Sequence, residues 1–413
     1  MKVGDRKKMN YSELSNGDIG ISMKKAIKLI EKSPYYDEIY ELLKIAEIEN
    51  DFIPIEGANS LVDTIINIDN SFEKFDVQTE LKNVRCNGLL DTKSAVLEIS
   101  NIADEGILKK TRTDLIKGIT KYSVKSDYLD LYQADKFLNY CLKNEYDDII
   151  KLNLESLDNK NLSNEYQKQF RFLKDNNNDY FIRAITSVDR YKDYNIRFSV
   201  FIALVSLYGL IKSKKEEYVV SYYTCSESDV KVVFRRTYFR TIAKGLDIGF
   251  ELELVNDEIK REAVKFNGLF SINYDNDSVL SIKPNLKANI ISFSHRIGMK
   301  KVSLLLQGLS DAIDEFIEMV YQDAKYIKQS KSPKELKNYL YQKVLHAQQK
   351  DFREKYRKEV QKVIEKENVS TIYQLLDLMN KIDLMIDDSD IKAKDYWKNK
   401  LYDVLINSKK FDS

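Results

Sequence analysis

Cysteine and histidine are scarce in this chain of 413 residues. The three cysteines, Cys86, Cys141 and Cys225, are odd in number, far apart and without CxxC spacing, which argues against a disulfide framework or a zinc cluster. The two histidines, His295 and His346, form no HExxH motif, no histidine-rich metal site and no pair for phosphotransfer chemistry. This composition fits a reducing cytoplasm, so we expect a cytoplasmic protein.

Motifs for phosphate-bearing cofactors and for membrane insertion are also missing. The sequence contains no GxxxxGK[ST] motif and no GxGxxG motif after a strand. The longest apolar stretch, residues 198–211, is too short to span a bilayer, and no apolar region follows the charged N-terminus. We therefore expect no P-loop NTPase, no cofactor and no membrane span.

The charges of the chain are balanced overall but are segregated along it. Lys and Arg number 66 against 65 Asp and Glu. Residues 37–108 hold 5 basic and 16 acidic side chains, whereas residues 325–366 hold 13 and 5. This pattern indicates either a basic and an acidic docking face or solvated helix surfaces of skewed sign, and the sequence leaves both interpretations open.

Three segments share one pattern, in which a helix ends at a glycine and a short hairpin with a polar tip follows. Glycine can adopt the left-handed conformation that ends a helix, and the apolar pair after it starts an alternating strand. Helix, glycine stop and hairpin form the C-terminal half of a winged helix-turn-helix. The glycines are Gly88 in residues 81–101, Gly209 in residues 198–222 and Gly268 in residues 261–283.

The predicted fold class is α+β and predominantly helical, with tandem winged-helix-like modules and a helical C-terminal region. A chain of this length is expected to form two to four domains. The predicted divisions are residues 1–110, with the first module; 111–197, a helical connection; 198–297, with the second and third modules; and 298–413, with a long basic amphipathic helix at 333–368.

Basic residues in these segments predict contacts with nucleic acid, because a recognition helix needs one apolar face and one polar or basic face. The helix of the second segment is apolar nearly all round, so we expect it to be buried. The predicted recognition residues are Gln78, Lys82 and Arg85 in the first segment, and Lys260, Arg261 and Lys265 in the third.

The strongest predicted phosphate-binding patch lies at residues 231–245, which contain no acidic residue. If this segment is helical, Arg236, Arg240 and Lys244 form one stripe, and Lys231 and Arg235 lie beside it. The alternative is a basic surface helix that pairs with the acidic N-terminal third of the chain.

Two incomplete motifs leave a magnesium-dependent nuclease open. Such enzymes use an Asp followed by an acidic residue and a Lys two positions apart. Asp91 with residues 98–100 has Ser100 in place of the Lys, and Asp247 with residues 258–260 has the right residues at what reads as the start of a helix. His295, between Ser294 and Arg296, could hold a phosphate, although a lone histidine is more often structural.

The Gly-containing segments at residues 87–90, 102–106 and 208–211 resemble in style the winged-helix DNA-recognition region of type IIS restriction endonucleases (FokI-like). This resemblance covers about residues 70–285 and implies several DNA-reading subdomains and a separate nuclease domain. The C-terminal third lacks the intact Asp…Asp-x-Lys nuclease core of that family.

We therefore expect a sequence-specific or structure-specific DNA-binding protein from a phage, a mobile element or a restriction or defence system. The first alternative is a non-enzymatic adaptor whose C-terminal helix binds a protein partner or a second copy of the chain. The second alternative is a divergent nuclease, the one case in which magnesium would be needed.

Overall fold

The structure, a computed structural model, contains two large β-sheets as well as many helices. It describes residues 1–14, 17–102, 114–158, 167–188, 190–274, 278–284, 288–324, 327, 332–387 and 390–406. Helix accounts for 45% and strand for 29% of the structure. The predicted fold class, predominantly helical with winged-helix modules, is therefore wrong.

The strands within the described residues are numbered in chain order. They are β1 (Lys7–Asn10), β2 (Ile21–Ser22), β3 (Phe52–Ile53), β4 (Ile55–Glu56), β5 (Glu73–Glu80), β6 (Val84–Leu89), β7 (Ala95–Ser100), β8 (Leu115–Thr120), β9 (Gln167–Lys174), β10 (Tyr180–Thr186), β11 (Tyr218–Cys225), β12 (Asp229–Ala243), β13 (Leu246–Asp257), β14 (Val264–Tyr274), β15 (Ser278–Ile282) and β16 (Asn289–Phe293).

The helices are numbered in the same way. They are α1 (Tyr11–Leu14), α2 (Met23–Ile27), α3 (Tyr36–Leu42), α4 (Ala58–Asn70), α5 (Val124–Asp130), α6 (Asp135–Lys143), α7 (Asp147–Asp158), α8 (Ile196–Lys214), α9 (Met299–Gln307), α10 (Leu309–Ala324), α11 (Pro333–Leu345), α12 (Arg357–Lys366), α13 (Ile372–Met385) and α14 (Ile391–Leu405).

The larger sheet has eight strands and curls around a buried helix. Its order is β1-β11-β12-β13-β14-β15, with β16 also beside β14 and β4 beside β11, and only the β4–β11 pair is parallel. The apolar helix α8 packs on β13. Val232, Phe234, Leu252 and Leu254 of the central strands are fully buried in the same apolar core. This core positions the central strands, which carry the candidate site at one end.

The smaller sheet has six strands in the order β5-β9-β10-β8-β7-β6. The pair β8–β10 is parallel, and the other pairs are antiparallel. Helix α5 packs on β10 and α7 packs on β6. The buried residues of this sheet and its helices form a second apolar core, separate from the first. The chain therefore builds two cores rather than a series of small modules.

The helices from α9 onwards extend the first core. Helix α10 packs on β13, β14 and β16, and α13 and α14 pack on β15. Trp397 of α14 is fully buried. The predicted long helix at 333–368 is broken at residues 346–349, and a π-helical turn at Phe352–Tyr356 leads directly into α12. Both helices bury their apolar faces, through Leu336 and Leu340 in α11 and Val360 in α12.

The three glycines of the predicted modules lie in unrelated settings. Gly88 lies within strand β6 and Gly209 lies inside helix α8, so neither ends a helix. Gly268 lies in the middle of β14, where a Cβ atom would be 2.5 Å from ring atoms of Phe316. This glycine permits close packing of α10 on the sheet rather than a left-handed turn. The predicted winged-helix units are therefore wrong, and the prediction of DNA binding no longer has their support.

Two of the predicted domain boundaries can be compared with the sheets. The boundary at 110/111 lies outside the described residues, in the segment that connects β7 and β8, which are neighbours in the smaller sheet. The boundary at 297/298 falls just before α9.

Among the described helices, Ile196–Lys214 is long and apolar enough to cross a membrane, but 61% of its most apolar window is buried inside the protein, as in a core helix.

Candidate functional site

Two aspartates face each other where two central strands of the larger sheet end. Asp229 begins β12 and Asp257 ends β13, and the two are direct partners in the antiparallel register. Both are buried, with Asp257 only 2% exposed. Like charges placed opposite one another in a sheet destabilise it, so this pair needs cations nearby.

Two arginines supply that charge. Arg6 Nη2 donates to Asp229 Oδ2 at 2.6 Å, and Arg261 Nη2 donates to the same oxygen at 2.8 Å. The Arg261 Nε atom lies 3.5 Å from Asp257 Oδ2. The segment carrying Arg6 is held in place by the Gly4 N–H, which donates to Glu227 Oε2 at 3.0 Å. Two acids and two arginines thus form one cluster.

Asp257 holds its proton more tightly than an ordinary aspartate. Burial raises the pKa of Asp257 to about 6, and the nearby charge of Asp229 acts in the same direction. Arg261 and the backbone N–H groups of residues 259 and 261, which donate to Asp257 Oδ1 at 3.0 Å each, oppose the rise. A carboxyl group with this pKa can gain or lose a proton near neutral pH.

The aspartate pair borders a cavity of about 610 Å³, which we call the inner cavity. It lies between the end of the larger sheet and helix α14. Its lining is polar and includes Arg6, Asp257, Asn267, Lys283 and Asn399. Volumes of this size are typical of sites for small ligands.

A buried network of charges fastens α14 to the sheet at this cavity. Glu253 of β13 pairs with Lys231 at 2.8 Å and with Lys283 at 2.6 Å. Both lysines also pair with Asp395 of α14, at 2.9 Å and 3.0 Å. The wall that α14 contributes to the cavity is therefore held by ion pairs.

A second cavity of about 280 Å³ adjoins the first, and we call it the outer pocket. Arg261 and Glu262 line both cavities, which are therefore neighbours, and we call the two cavities together the groove. Arg190, Lys260 and Arg296 are exposed and line the outer pocket. Within the described residues, Arg190 and Arg296 have no ion pair or hydrogen-bond partner. The outer pocket thus combines four cations with one acid, Glu262, which pairs with Lys265 at 2.5 Å.

His295 forms a wall of the outer pocket. Its ring stacks on Tyr191, with centroids 4.9 Å apart and planes 4° from parallel. Nδ1 lies 3.2 Å from the Lys192 carbonyl oxygen, and Nε2 lies 3.1 Å from Asn256 Oδ1. Burial lowers the pKa of His295. Because both ring nitrogens contact protein atoms, His295 shapes the pocket and has no free nitrogen for a ligand.

The third set of predicted nucleic-acid residues lies on the groove. Lys260 lines the outer pocket, Lys265 lines the inner cavity, and Arg261 lines both. They follow β13 and begin β14, and do not lie on a recognition helix. Lys260 has a distant partner, Asp127, at 3.6 Å. The helix predicted for this segment is wrong, but the structure brings its cations together.

The first set lies on the smaller sheet. Gln78 is exposed on β5, Arg85 is exposed on β6, and Lys82 lies in the short turn between them, where it pairs with Glu80. The predicted helix over this region is wrong, because residues 73–89 form two strands. These three side chains share no helix face.

The patch at 231–245 forms strand β12 rather than a helix. Lys231 is buried in the ion network described above and faces no solvent. The Arg235 guanidinium lies 5.5 Å from the ring of Tyr11. Lys244 is exposed near the end of the strand, where its carbonyl oxygen accepts from Tyr373 at 2.6 Å.

Two members of this patch remain together on one face of β12. Arg236 pairs with Glu216 at 3.0 Å. Arg240 is exposed and lies 4.7 Å from the centre of the Tyr321 ring. Burial raises the pKa of Tyr321, whereas the charges of Arg236 and Arg240 lower it. We call Arg236, Arg240 and Lys244 the β12 patch.

Neither nuclease motif forms a metal site. Glu258 follows β13 and is sealed inside the protein, where Arg183, Lys74 and the Ile196 N–H contact its carboxylate. Asp91 accepts from backbone N–H groups in a turn. No group of three or more His, Cys, Asp or Glu in the described part of the chain could hold a metal ion.

Sequence reasoning missed Arg6, Arg190, Asp229 and Asp257, and it singled out Arg296 only as a neighbour of His295. Asp229 and Asp257 are 28 positions apart, and only the register of β12 and β13 brings them together. One signal was present, because the segments at residues 226–229 and 256–258 place acidic residues directly beside apolar strand sequences.

No protein-family model matches this chain, no curated protein matches it in sequence, and no solved structure matches its fold. Function is therefore inferred from the chemistry of the groove.

Proposed function

We propose that this protein binds nucleic acid, with the phosphate backbone of a single strand in the outer pocket. The observation that carries the proposal is the convergence of Arg190, Lys260, Arg261 and Arg296 around one concave pocket. Phosphate contacts by Arg and Lys supply essentially all of the non-specific affinity in such complexes, because they release bound counterions.

The availability of these charges supports the proposal. Arg190 and Arg296 are exposed and, among described residues, unpaired, so binding a phosphate breaks no existing ion pair. Arginine also matches the planar, two-point geometry of phosphate oxygens. By comparison, Arg236 of the β12 patch already pairs with Glu216.

The shape of the pocket favours a single strand over a duplex. A flexible strand can bend into a concave pocket and turn a base into the adjoining inner cavity. A duplex has its bases stacked inside and presents a stiff backbone. The sequence predicted a DNA-binding protein, and on the shape of the pocket we propose a single strand as its ligand.

Fluorescence anisotropy tests this proposal with labelled single-stranded 12-mers of DNA and RNA and with the matched duplex, over a range of salt concentrations. We expect single strands to bind more tightly than duplex. The variant Arg190→Ala/Arg296→Ala should bind at least about tenfold more weakly. Its salt slope should fall by about 0.7 for each phosphate that the variant no longer neutralises.

The variant Arg240→Ala/Lys244→Ala is the matched control, since it removes two exposed cations elsewhere, and it should bind as the parent does. Unchanged binding in the groove variant, together with weakened binding in the control, would move the site to the β12 patch. Absence of binding by every strand would reject nucleic acid as the ligand.

Association with protein is a second candidate function, favoured by exposed apolar side chains on α6 and α7. Phe137 and Tyr140 of α6, and Ile149 and Leu152 of α7, are all more than two-fifths exposed, with Leu152 at 64%. The rings of Tyr140 and Tyr146 lie 6.2 Å apart, so these helices present a joint surface. Exposed apolar patches often mark interaction sites.

Light scattering after gel filtration tests whether this surface joins two copies of the chain. We expect a dimer that dissociates in the variant Phe137→Asp/Leu152→Asp. A parent protein that stays monomeric at high concentration would reject self-association through this surface.

A further inference from the structure

Positive charge is concentrated in one part of the groove, the outer pocket. Among the described residues, four basic and one acidic side chain line the outer pocket, whereas five basic and six acidic side chains line the inner cavity. Arg261 and Glu262 belong to both sets because they line both cavities. A groove that follows the backbone of a strand carries its positive charge along its whole length. Here the excess positive charge can serve one phosphate rather than a row of them.

The unpaired cations of the outer pocket carry more charge than an internal phosphate can neutralise. Arg190 and Arg296 are exposed and, within the described residues, unpaired, so they supply two positive charges. Glu262, the acid of this pocket, already pairs with Lys265. An internal phosphate of a strand carries one negative charge, whereas a phosphate monoester carries about 1.5 to 2 at pH 7. A terminal phosphate therefore matches the unpaired charge more closely.

The hydrogen-bond donors and the size of the outer pocket also fit a terminal phosphate. Such a group has three strong acceptor oxygens, one more than an internal phosphate, which uses that oxygen to join the next sugar. Besides the arginines, Ser187 and Ser294 line the pocket and are exposed, and each hydroxyl group can donate a hydrogen bond. The volume of about 280 Å³ lies at the lower end of the range for small-ligand pockets, about 300–1,000 Å³. It suits a phosphate and its sugar rather than several nucleotides.

We propose that the outer pocket binds the terminal phosphate of a nucleic-acid strand, a phosphate monoester, in preference to an internal phosphate. This inference rests on the proposed function and narrows its ligand to a strand with a phosphorylated end. The nucleotides next to that end extend over the inner cavity, whose balanced charges neither attract nor repel a further phosphate strongly. A 5′ and a 3′ phosphate share this chemistry, so the experiment includes both.

Fluorescence anisotropy with 12-mers of one sequence tests the proposal on the full chain. Each strand ends in a phosphate or a hydroxyl group at its 5′ or 3′ end and carries the label at the other end. We expect a phosphate at one of the two ends to tighten binding at least about tenfold. A methyl ester on that phosphate should lose most of this gain, because it removes the second charge.

Two results with these strands would overturn the proposal. One is a methyl ester that keeps the full gain. The other is the absence of a gain at either end. If strand binding nevertheless depends on Arg190 and Arg296, the second result leaves the proposed function standing, with an internal phosphate in the outer pocket.

Two double variants locate the site of the terminal phosphate. In Arg190→Ala/Arg296→Ala, strands with and without the phosphate should bind equally. Lys300→Ala/Lys301→Ala is the matched control, since it removes two exposed cations at the start of α9 that line neither cavity, and it should keep the gain. Thermal melting confirms that each variant is folded. A gain that survives Arg190→Ala/Arg296→Ala would place the terminal phosphate elsewhere and overturn the proposal.

Calorimetric titration with 5′-AMP, 3′-AMP and adenosine separates this proposal from the proposed function. We expect one of the two nucleotides to bind through Arg190 and Arg296, and adenosine to bind at least about tenfold more weakly. The same result without binding of any strand would keep the phosphate monoester site, identify a free nucleotide as its ligand, and reject the proposed function.

Discussion

Arg183 and Glu258 form an ion pair buried between the two sheets. Arg183 lies in β10 of the smaller sheet and Glu258 directly follows β13 of the larger sheet, and each side chain is 2% exposed. Arg171 of β9 adds a hydrogen bond from Nη1 to the Glu258 carbonyl oxygen at 3.2 Å. Burial alone would raise the pKa of Glu258, but Lys74, Arg183 and Arg171 hold it well below its usual range.

Removing one partner of this pair should destabilise the protein severely. In Arg183→Leu, Glu258 keeps Lys74 at 3.2 Å but loses its most buried cation. We expect the free energy of unfolding to fall by about 3–5 kcal/mol, measured by urea denaturation. Lys82→Ala, which removes an exposed pair, is the control and should cost under about 1 kcal/mol. A similar, small decrease in both variants would contradict a structural role for the buried pair.

Two glycines should respond to alanine in opposite ways. Gly209 lies inside α8, and apart from its chain neighbours and the nearby backbone of its own helix no atom lies within 4 Å of the position that an alanine methyl group would occupy. Gly209→Ala should therefore stabilise the protein by about 0.5–1 kcal/mol. Gly268→Ala would place a methyl group against Phe316 and should cost about 1–3 kcal/mol. Thermal and urea unfolding measure both. In a double-mutant cycle, Phe316→Leu should relieve part of the destabilisation by Gly268→Ala; strict additivity would argue against the close approach.

Asp257→Asn should stabilise the protein in a pH-dependent manner. The pKa of Asp257 is raised to about 6 in the folded state, above the value of about 3.9 expected for an unfolded chain. The ionised carboxyl group therefore destabilises the folded state, and this loss of stability reaches its full size above pH 6. It disappears as the pH falls towards 4, because the carboxyl group is then protonated in both states. We expect Asn to add on the order of 2 kcal/mol at pH 8 and nothing at pH 4. A difference that does not vary with pH would contradict the raised pKa.

Lys231 should matter for stability and not for nucleic-acid affinity. Its ammonium group contacts Glu253, which is fully buried. Burial alone would lower the pKa of Lys231, but the charges of Asp395 and Glu253 outweigh burial and raise that pKa. Lys231→Met should lower the free energy of unfolding by about 2–4 kcal/mol. Arg235→Ala, on the same strand but half-buried, should cost under about 1 kcal/mol. Weaker strand binding by folded Lys231→Met would show that its charge reaches the ligand.

The prediction of a helix at residues 231–245 was wrong because the spacing of its basic residues fits both a helix and a strand. Arg236, Arg240 and Lys244 are four positions apart, which fits one face of a helix and equally one face of a strand. Central strands of the larger sheet are also covered on both faces, so Val232, Val233 and Phe234 are buried in succession and show no alternation. The expectation of a buried helix in the second segment is confirmed by α8, because an apolar run of that length has few other solutions.

The candidate site could be predicted only in part. Lys260, Arg261 and Lys265 are predicted from local charge, and local charge can be read from a sequence. Asp229 and Asp257 meet through strand register, and Arg190 and Arg296 meet through the packing of two sheets. Such long-range pairings follow from the fold, which propensity and periodicity alone do not determine.

The contacts of Arg183 and Arg171 with Glu258 form a charged junction between the two cores, and this junction also bears on the geometry of the outer pocket. Apolar faces can slide over one another by a fraction of an ångström at little cost, whereas an arginine that leaves its carboxylate gives up a direction-dependent interaction. The walls of the outer pocket come from both sides of this junction, with Arg190 following β10 and Lys260 following β13. The backbone positions that carry those two cations are thus fixed relative to one another, so we expect the proposed phosphate ligand to require little rearrangement of the two sheets.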